Sequence, residues 1–194
     1  MNWQSVFNPF SKFSEKQLLF VGLFFFLVNG TVCFYTKIQM DSIFHFSDNE
    51  NLTIDSAFLY VGISCVSAII FLFILSLFFN KKTRFVDIIN TILISQAPSF
   101  ITLLLTKYSG MNEIAKKIST SAKVQNFDLN ALDLLKLLFT SLFVLAFVIY
   151  GMVLIYNGFK TATNFKKRQH ISIFIISLLI FILIHQVYMQ SVNL

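Results

Sequence analysis

Charged residues are scarce in this chain of 194 residues, because Asp, Glu, Lys and Arg together make up only 12% of it. A soluble domain carries about 25% charged residues. With so few charges, a soluble fold of this size would expose large apolar patches and would aggregate. The composition therefore excludes an ordinary soluble domain.

Cysteine is also scarce, and the two thiols, Cys33 and Cys65, both lie in apolar stretches. Two cysteines do not make a disulfide framework, and these two match no metal-ligand spacing. We predict buried free thiols, with a bridge between the first two helices as the alternative. The sequence contains no metalloprotease, serine-hydrolase or phosphate-loop motif, and its three histidines lie far apart. It therefore predicts a protein without a catalytic site, a metal or a cofactor.

Apolar residues are abundant, at 56% of the chain with 25 Phe among them. A helix needs roughly 20 mostly apolar residues to cross the bilayer core. Because the first apolar run is longer than the usual core of a signal peptide, we interpret it as a retained helix. The sequence predicts an all-α, polytopic transmembrane bundle that forms a single domain over residues 1–194. Five runs qualify as spans, at about 17–36, 57–79, 85–106, 132–156 and 171–190.

Basic residues are concentrated in the N-terminal tail and in the segments 80–85 and 157–170. If the spans alternate, these places share one side, and the acidic loop 37–56 lies on the other. The positive-inside rule then places the N-terminus in the cytoplasm and the C-terminus outside. Anionic lipid headgroups are a simpler partner for these charges than nucleic acid. The residues that would set topology or bind headgroups are Lys81, Lys82, Arg84, Lys166, Lys167 and Arg168.

The third run is the weakest span, because a polar stripe at helical spacing interrupts it. One hypothesis is a polar pathway or ion site along this stripe. The other is that Asp87 pairs with Arg84 or Lys82 at a helix start, while the remaining polar groups bond to neighbouring helices. Proline removes a backbone donor, so we expect a kink that a neighbour or water satisfies. The stripe consists of Asp87, Asn90, Thr91, Ser95 and Pro98.

Local patterns predict several helix ends. Ser14 followed by Gln17 is a capping-box pattern before the first span. Tyr156, Asn157 and Gly158 are interpreted as the stop of the fourth helix, since Gly and Asn are common just past a helix end. The segment 110–123 is amphipathic and is predicted to lie at the outer surface or to pack on the bundle. In the fifth run, no acid or second histidine stands at an obvious partner spacing from His185.

Three segments carry a resemblance to a known family: residues 7–13, 82–98 and 156–163. They resemble segments of the bacterial branch of the Yip family, the Rab-interacting-type polytopic membrane proteins, and in particular its Bacteroidetes-type members. The resemblance implies a compact five-helix bundle in the bacterial cytoplasmic (inner) membrane. It implies no defined activity. Eukaryotic members are associated with vesicle trafficking, but their Asp-Leu-Tyr-Gly-Pro segment is missing here.

The sequence and the resemblance together predict a non-enzymatic membrane protein. It would organise the membrane or act as a scaffold through helix and lipid contacts, with a second copy or another membrane protein as a possible partner. The alternative is a small transporter or channel component that uses the polar face of the third helix.

Overall fold

The structure is a computed structural model that describes residues 3–111, 114, 118 and 130–191. In this part of the chain, helices of very different length alternate with one short hairpin and one 3-10 helix, Pro9–Ser11. The elements are α1 (Trp3–Phe7), α2 (Glu15–Thr36), β1 (Ile38–Ser42), β2 (His45–Asp48), α3 (Ile54–Phe79), α4 (Phe85–Ser95), α5 (Ser99–Tyr108), α6 (Ala131–Thr163) and α7 (Arg168–Ser191).

Five helical stretches are long and apolar enough to cross a membrane: α2, α3, α4 with α5, α6, and α7. These are the five predicted spans, so the predicted helical membrane bundle is confirmed. The first two spans begin at side-chain caps that satisfy their first backbone donors. Ser14 Oγ accepts from the Gln17 backbone N–H while the Gln17 side chain accepts from the Ser14 backbone N–H, which is the predicted capping box. Thr53 and Ser56 form the same arrangement before α3.

The third span is broken rather than straight. Residues 96–98 separate α4 from α5, and the Ala97 backbone N–H donates to the Ile94 carbonyl over 3.0 Å. Pro98 has no backbone N–H to donate to the Ile94 carbonyl, and Ala97 donates to it instead. The predicted kink is confirmed. Asn29 Nδ2 of α2 donates to the Gln96 carbonyl at the break over 2.9 Å. In the apolar part of this span, 67% of the residues are buried, whereas the corresponding share in the other four spans is 17–33%. The third span therefore forms the centre of the bundle.

A β-hairpin between α2 and α3 was not predicted. Strands β1 and β2 pair antiparallel, with Ile38 opposite Asp48. The first four residues of β1 alternate between apolar and polar, but this pattern is short, and all five residues are buried rather than only those on one face. The hairpin covers one end of the bundle and adds Ile38 and Met40 to its core.

Contacts at the two ends of the bundle show that successive spans alternate in direction. At one end, Asn80 Nδ2, after α3, donates to the carbonyl of Thr163, the last residue of α6. At the other end, His185 near the end of α7 contacts the hairpin at Asp41. Which end faces the cytoplasm stays a prediction. Cys33 and Cys65 are free and buried, as predicted. Most of the amphipathic segment predicted at 110–123 lies outside the described residues.

Candidate functional site

The N-terminal strap, which we define as residues 3–13, crosses the bundle end where α2 and α4 begin. Two side chains of α6 hold its backbone. Tyr150 Oη donates to the Val6 carbonyl over 2.9 Å, and Asn157 Nδ2 donates to the Phe7 carbonyl over 2.7 Å. The rings of Phe7 and Tyr150 also meet edge to face, with centroids 5.7 Å apart. The strap is thus fixed to α6 and covers this end of the bundle.

An ion-pair cluster links α2 to α4 under the strap. Arg84 Nη2 donates to Asp87 Oδ1 over 2.7 Å and to Glu15 Oε2 over 2.5 Å, and Arg84 Nε donates to Asp87 Oδ2 over 3.2 Å. The bonds to Asp87 and then to Glu15 raise the pKa of the Arg84 guanidinium above its usual value. The pairing of Asp87 with Arg84 is one of the two arrangements predicted. The contribution of Glu15 was missed, since it lies 69 residues away in sequence.

The predicted polar stripe of the third span divides into two parts. Thr91 Oγ1 donates to the Asp87 carbonyl and Ser95 Oγ to the Ile92 carbonyl, both over 2.7 Å, so these hydroxyls are satisfied within α4. Both residues are fully buried, and Pro98 at the break is also buried. Asp87 is different, because about a third of its side chain is exposed.

Asn90 lies one turn further into the bundle and is only 2% exposed. Its Nδ2 donates to the Glu15 carbonyl over 3.2 Å. Its Oδ1 is buried and has no hydrogen-bond partner among the described residues. A buried acceptor without a partner is unusual in a native structure and requires an explanation.

A cavity of about 180 Å³ lies where these groups meet, and we call it the polar cavity. Four elements enclose it: the strap, the start of α2, α4, and the last turns of α6. Among the described residues, no hydrogen bond joins the carboxylates of Glu15 and Asp87 to a histidine or to a nucleophilic side chain. The residues that line the polar cavity include Phe10, Phe13, Glu15, Arg84, Asp87, Asn90 and, on α6, Gly158 and Thr161.

The predicted helix stop at Tyr156, Asn157 and Gly158 is wrong. Helix α6 continues to Thr163 and ends at Asn164, which adopts a left-handed φ of 51°. Gly158 serves close approach instead, since a Cβ there would lie 2.5 Å from Thr91 Oγ1. Asn157 holds the strap. Tyr156 packs edge to face on Phe165, with ring centroids 6.1 Å apart.

The predicted basic residues lie near the same end of the bundle. Lys81, Lys82 and Arg84 follow α3, and Lys166 and Lys167 follow α6; all five are exposed. The bond from Asn80 to Thr163 brings the two segments together. Nothing is described of the Arg168 side chain. Contact of these residues with anionic headgroups stays a prediction.

A polar network at the hairpin was missed by the sequence analysis. The Asp41 side chain is fully buried, and its carboxylate accepts from Gln39 Nε2 over 2.6 Å and from His45 Nδ1 over 3.2 Å. His185 Nδ1 donates to the Asp41 carbonyl over 2.8 Å, and His185 Nε2 bonds to Ser67 Oγ over 2.7 Å. The partners of His185 are thus a backbone carbonyl and a serine hydroxyl from distant segments, which no spacing within the fifth span could indicate.

The Asp41 network predicts a loss of stability in acid. Burial alone would raise the pKa of the Asp41 carboxyl, but bonds from His45, Ser47 and Gln39 and the charge of His45 outweigh it and lower the pKa. A carboxyl with a lowered pKa stabilises the fold above its unfolded pKa, about 3.9, and stops doing so as pH falls through the folded value. We expect the melting temperature of the detergent-solubilised protein to drop below about pH 4, and to drop less in Asp41→Asn. Equal acid dependence of both proteins would contradict this assignment.

Five apolar spans, packed around a broken and buried third span, define a polytopic α-helical membrane protein. A family model described as the Yip1 domain matches residues 3–189, which is nearly the whole chain. The chain therefore belongs to the Yip1 family, and the resemblance is confirmed at that level. Assignment to the bacterial branch stays a prediction. No curated protein and no solved structure shows a significant match.

Proposed function

We propose that the chain is a non-enzymatic membrane-organising or scaffold protein that acts through helix and lipid contacts. The observation that carries this proposal is the outward apolar surface of four spans, which are only 17–33% buried within the bundle. Phe20 and Phe78, for example, are 77% and 83% exposed. In a membrane, such side chains contact acyl chains or the helices of another protein. We place this role in the bacterial inner membrane.

A groove between α6 and α7 supports a partner role for this surface. It has a volume of about 330 Å³, and apolar side chains such as Val153, Phe174 and Leu178 line it. A second copy of the chain or a helix of another membrane protein would fill such a groove by van der Waals packing, which drives helix association in lipid.

The scaffold proposal predicts a complex of fixed composition. We expect the chain, extracted directly into polymer nanodiscs, to carry a second copy or one membrane-protein partner at constant stoichiometry, as measured by crosslinking and mass photometry. Val153→Trp should fill the groove and lower that stoichiometry. Leu183→Trp, on the exposed face of α7 outside the groove, is the matched control and should leave it unchanged. A lone monomer with measurable turnover would refute the proposal.

A transporter or channel component is the second candidate, and the polar cavity beside Asp87 favours it. The rest of the stripe supports it less, because Thr91 and Ser95 are buried and bonded within α4. Ion flux in reconstituted vesicles that Asp87→Asn abolishes would replace the scaffold proposal with this one.

A further inference from the structure

The polar cavity carries an excess of negative charge. The carboxylates of Glu15 and Asp87 face one guanidinium, that of Arg84. Among the described residues, the bonds of Arg84 use Nε and Nη2, and none uses Nη1. The cavity therefore favours a ligand with a cationic group, and the two N–H groups of Arg84 Nη1 are donors for an anionic oxygen beside it.

Asn90 adds an acceptor with no partner. Because a carbonyl accepts and never donates, the bond to the Glu15 carbonyl requires Nδ2 on that side of the amide. The orientation of the amide is thereby determined, and Oδ1 is the atom left without a partner. Asn90 lines the polar cavity, so a ligand with N–H donors is suited to satisfy this oxygen.

An apolar cavity of about 360 Å³ adjoins the polar one. It extends between the strap, α2, α4 and α6, with Val21, Phe25 and Leu154 among its lining residues. Phe13 and Leu18 line both cavities. The polar cavity lies at the end of the bundle, and the apolar cavity extends deeper along the helices. The first suits the headgroup of a lipid, and the second suits an acyl chain.

We propose that this pair of cavities binds a phospholipid whose headgroup ends in a primary ammonium, of the phosphoethanolamine type. The ammonium lies among Glu15, Asp87 and Asn90 Oδ1, the phosphate accepts from Arg84 Nη1, and an acyl chain occupies the apolar cavity. This inference rests on the proposed function and names the lipid contact that the function requires.

Hydrogen-bond chemistry selects this headgroup over the common alternatives. A primary ammonium has three N–H donors, in the same way as a lysine side chain. A trimethylammonium headgroup has none, so it would leave the Asn90 oxygen unsatisfied. A purely anionic headgroup would bring negative charge toward two carboxylates. The exposed lysines nearby remain free to attract anionic lipids at the surface.

The three segments that resemble the Yip family meet at the polar cavity. Phe10 and Phe13 come from residues 7–13, and Asp87 and Asn90 come from residues 82–98. Gly158 and Thr161 come from residues 156–163. These segments are separated along the chain, yet all three supply its walls. A lipid site at their junction gives this convergence a physical reason.

The test is native mass spectrometry of the full chain in detergent after delipidation. Phosphatidylethanolamine, phosphatidylcholine and phosphatidylglycerol with identical acyl chains are added separately. We expect phosphatidylethanolamine to bind about tenfold more tightly than phosphatidylcholine, the difference that loss of one charge-assisted hydrogen bond produces. Equal binding of the two would overturn the inference.

Matched variants locate the site. Asn90→Leu should abolish the preference, whereas Asn29→Leu should keep it. Asn29 is also fully buried and donates to a backbone carbonyl of another span, and its Oδ1 has no partner among the described residues, but it does not line the polar cavity. If Asn90→Leu does not fold, Asp87→Asn at a partly exposed position gives the same readout. Retention of the preference in Asp87→Asn and Asn90→Leu would overturn the assignment.

A soluble headgroup distinguishes the lipid from its fragment. Glycerophosphoethanolamine lacks acyl chains, and we expect it not to displace the lipid at equal concentration. Displacement would overturn the role of the apolar cavity. Loss of headgroup preference with an unchanged complex in nanodiscs would reject this inference alone. Loss of the complex with the preference retained would reject only the scaffold proposal.

Discussion

Replacing Gly158 with alanine is expected to destabilise the bundle by about 1–3 kcal/mol, the usual cost of overpacking. The new Cβ would lie 2.5 Å from Thr91 Oγ1, 2.7 Å from Thr91 Cγ2 and 2.9 Å from Phe10 Cζ. Thr91 cannot rotate aside without giving up its bond to the Asp87 carbonyl. Helices α4 and α6 must therefore separate, and the strap must move with them.

A glycine on another span provides the control for Gly158→Ala. A Cβ on Gly62 of α3 would meet no atom of the described residues within 4 Å. Gly62→Ala should be neutral or should stabilise by up to about 1 kcal/mol, because alanine is the better helix former. Thermal unfolding in detergent, followed by circular dichroism, compares the two variants. If both variants have the melting temperature of the parent protein, α4 and α6 do not approach as closely as described.

The second large effect is expected at the hairpin. Asp41→Leu removes the acceptor for Gln39 Nε2 and His45 Nδ1 and places an apolar side chain among buried polar groups. We expect a loss of about 2–4 kcal/mol, since donors deprived of a buried partner are costly. The hairpin would loosen first. Hydrogen exchange of the β1 and β2 amides should therefore increase before that of the helices.

An exposed aspartate provides the control for Asp41→Leu. Asp55 lies in the first turn of α3 and is exposed. An acid in this position gains from the helix dipole, so Asp55→Ala should cost less than about 1 kcal/mol. Equal losses in the two variants would show that burial of the Asp41 carboxylate does not matter.

The spans could be predicted because each is a long apolar run, and in lipid such a run satisfies its backbone hydrogen bonds within a single helix. The Ser14 cap and the pairing of Asp87 with Arg84 could be predicted because both are local, three residues apart in sequence. Contacts between distant segments could not. Glu15 reaches Arg84 across 69 residues, and no local periodicity encodes such a pairing.

Two errors of interpretation have clear physical causes. The sequence predicts a helix end at Gly158 because glycine is common there, but glycine also allows two helices to approach closely. The hairpin is not predicted because the alternation of apolar and polar residues in β1 covers only four residues, and the burial of its polar residues depends on contacts with other segments. In both places the neighbours from other spans decide the structure.

The bond between His185 and Asp41 has a consequence for how the protein is made. The two residues are separated by 144 positions, so the hairpin leaves the ribosome long before the last helix exists. During that interval Asp41 has its local partners, but its carbonyl lacks the histidine that later covers it. Synthesis of the final helix thus completes the hydrogen bonding of the hairpin. A chain truncated before this helix would expose a hairpin without its histidine bond to quality-control proteases.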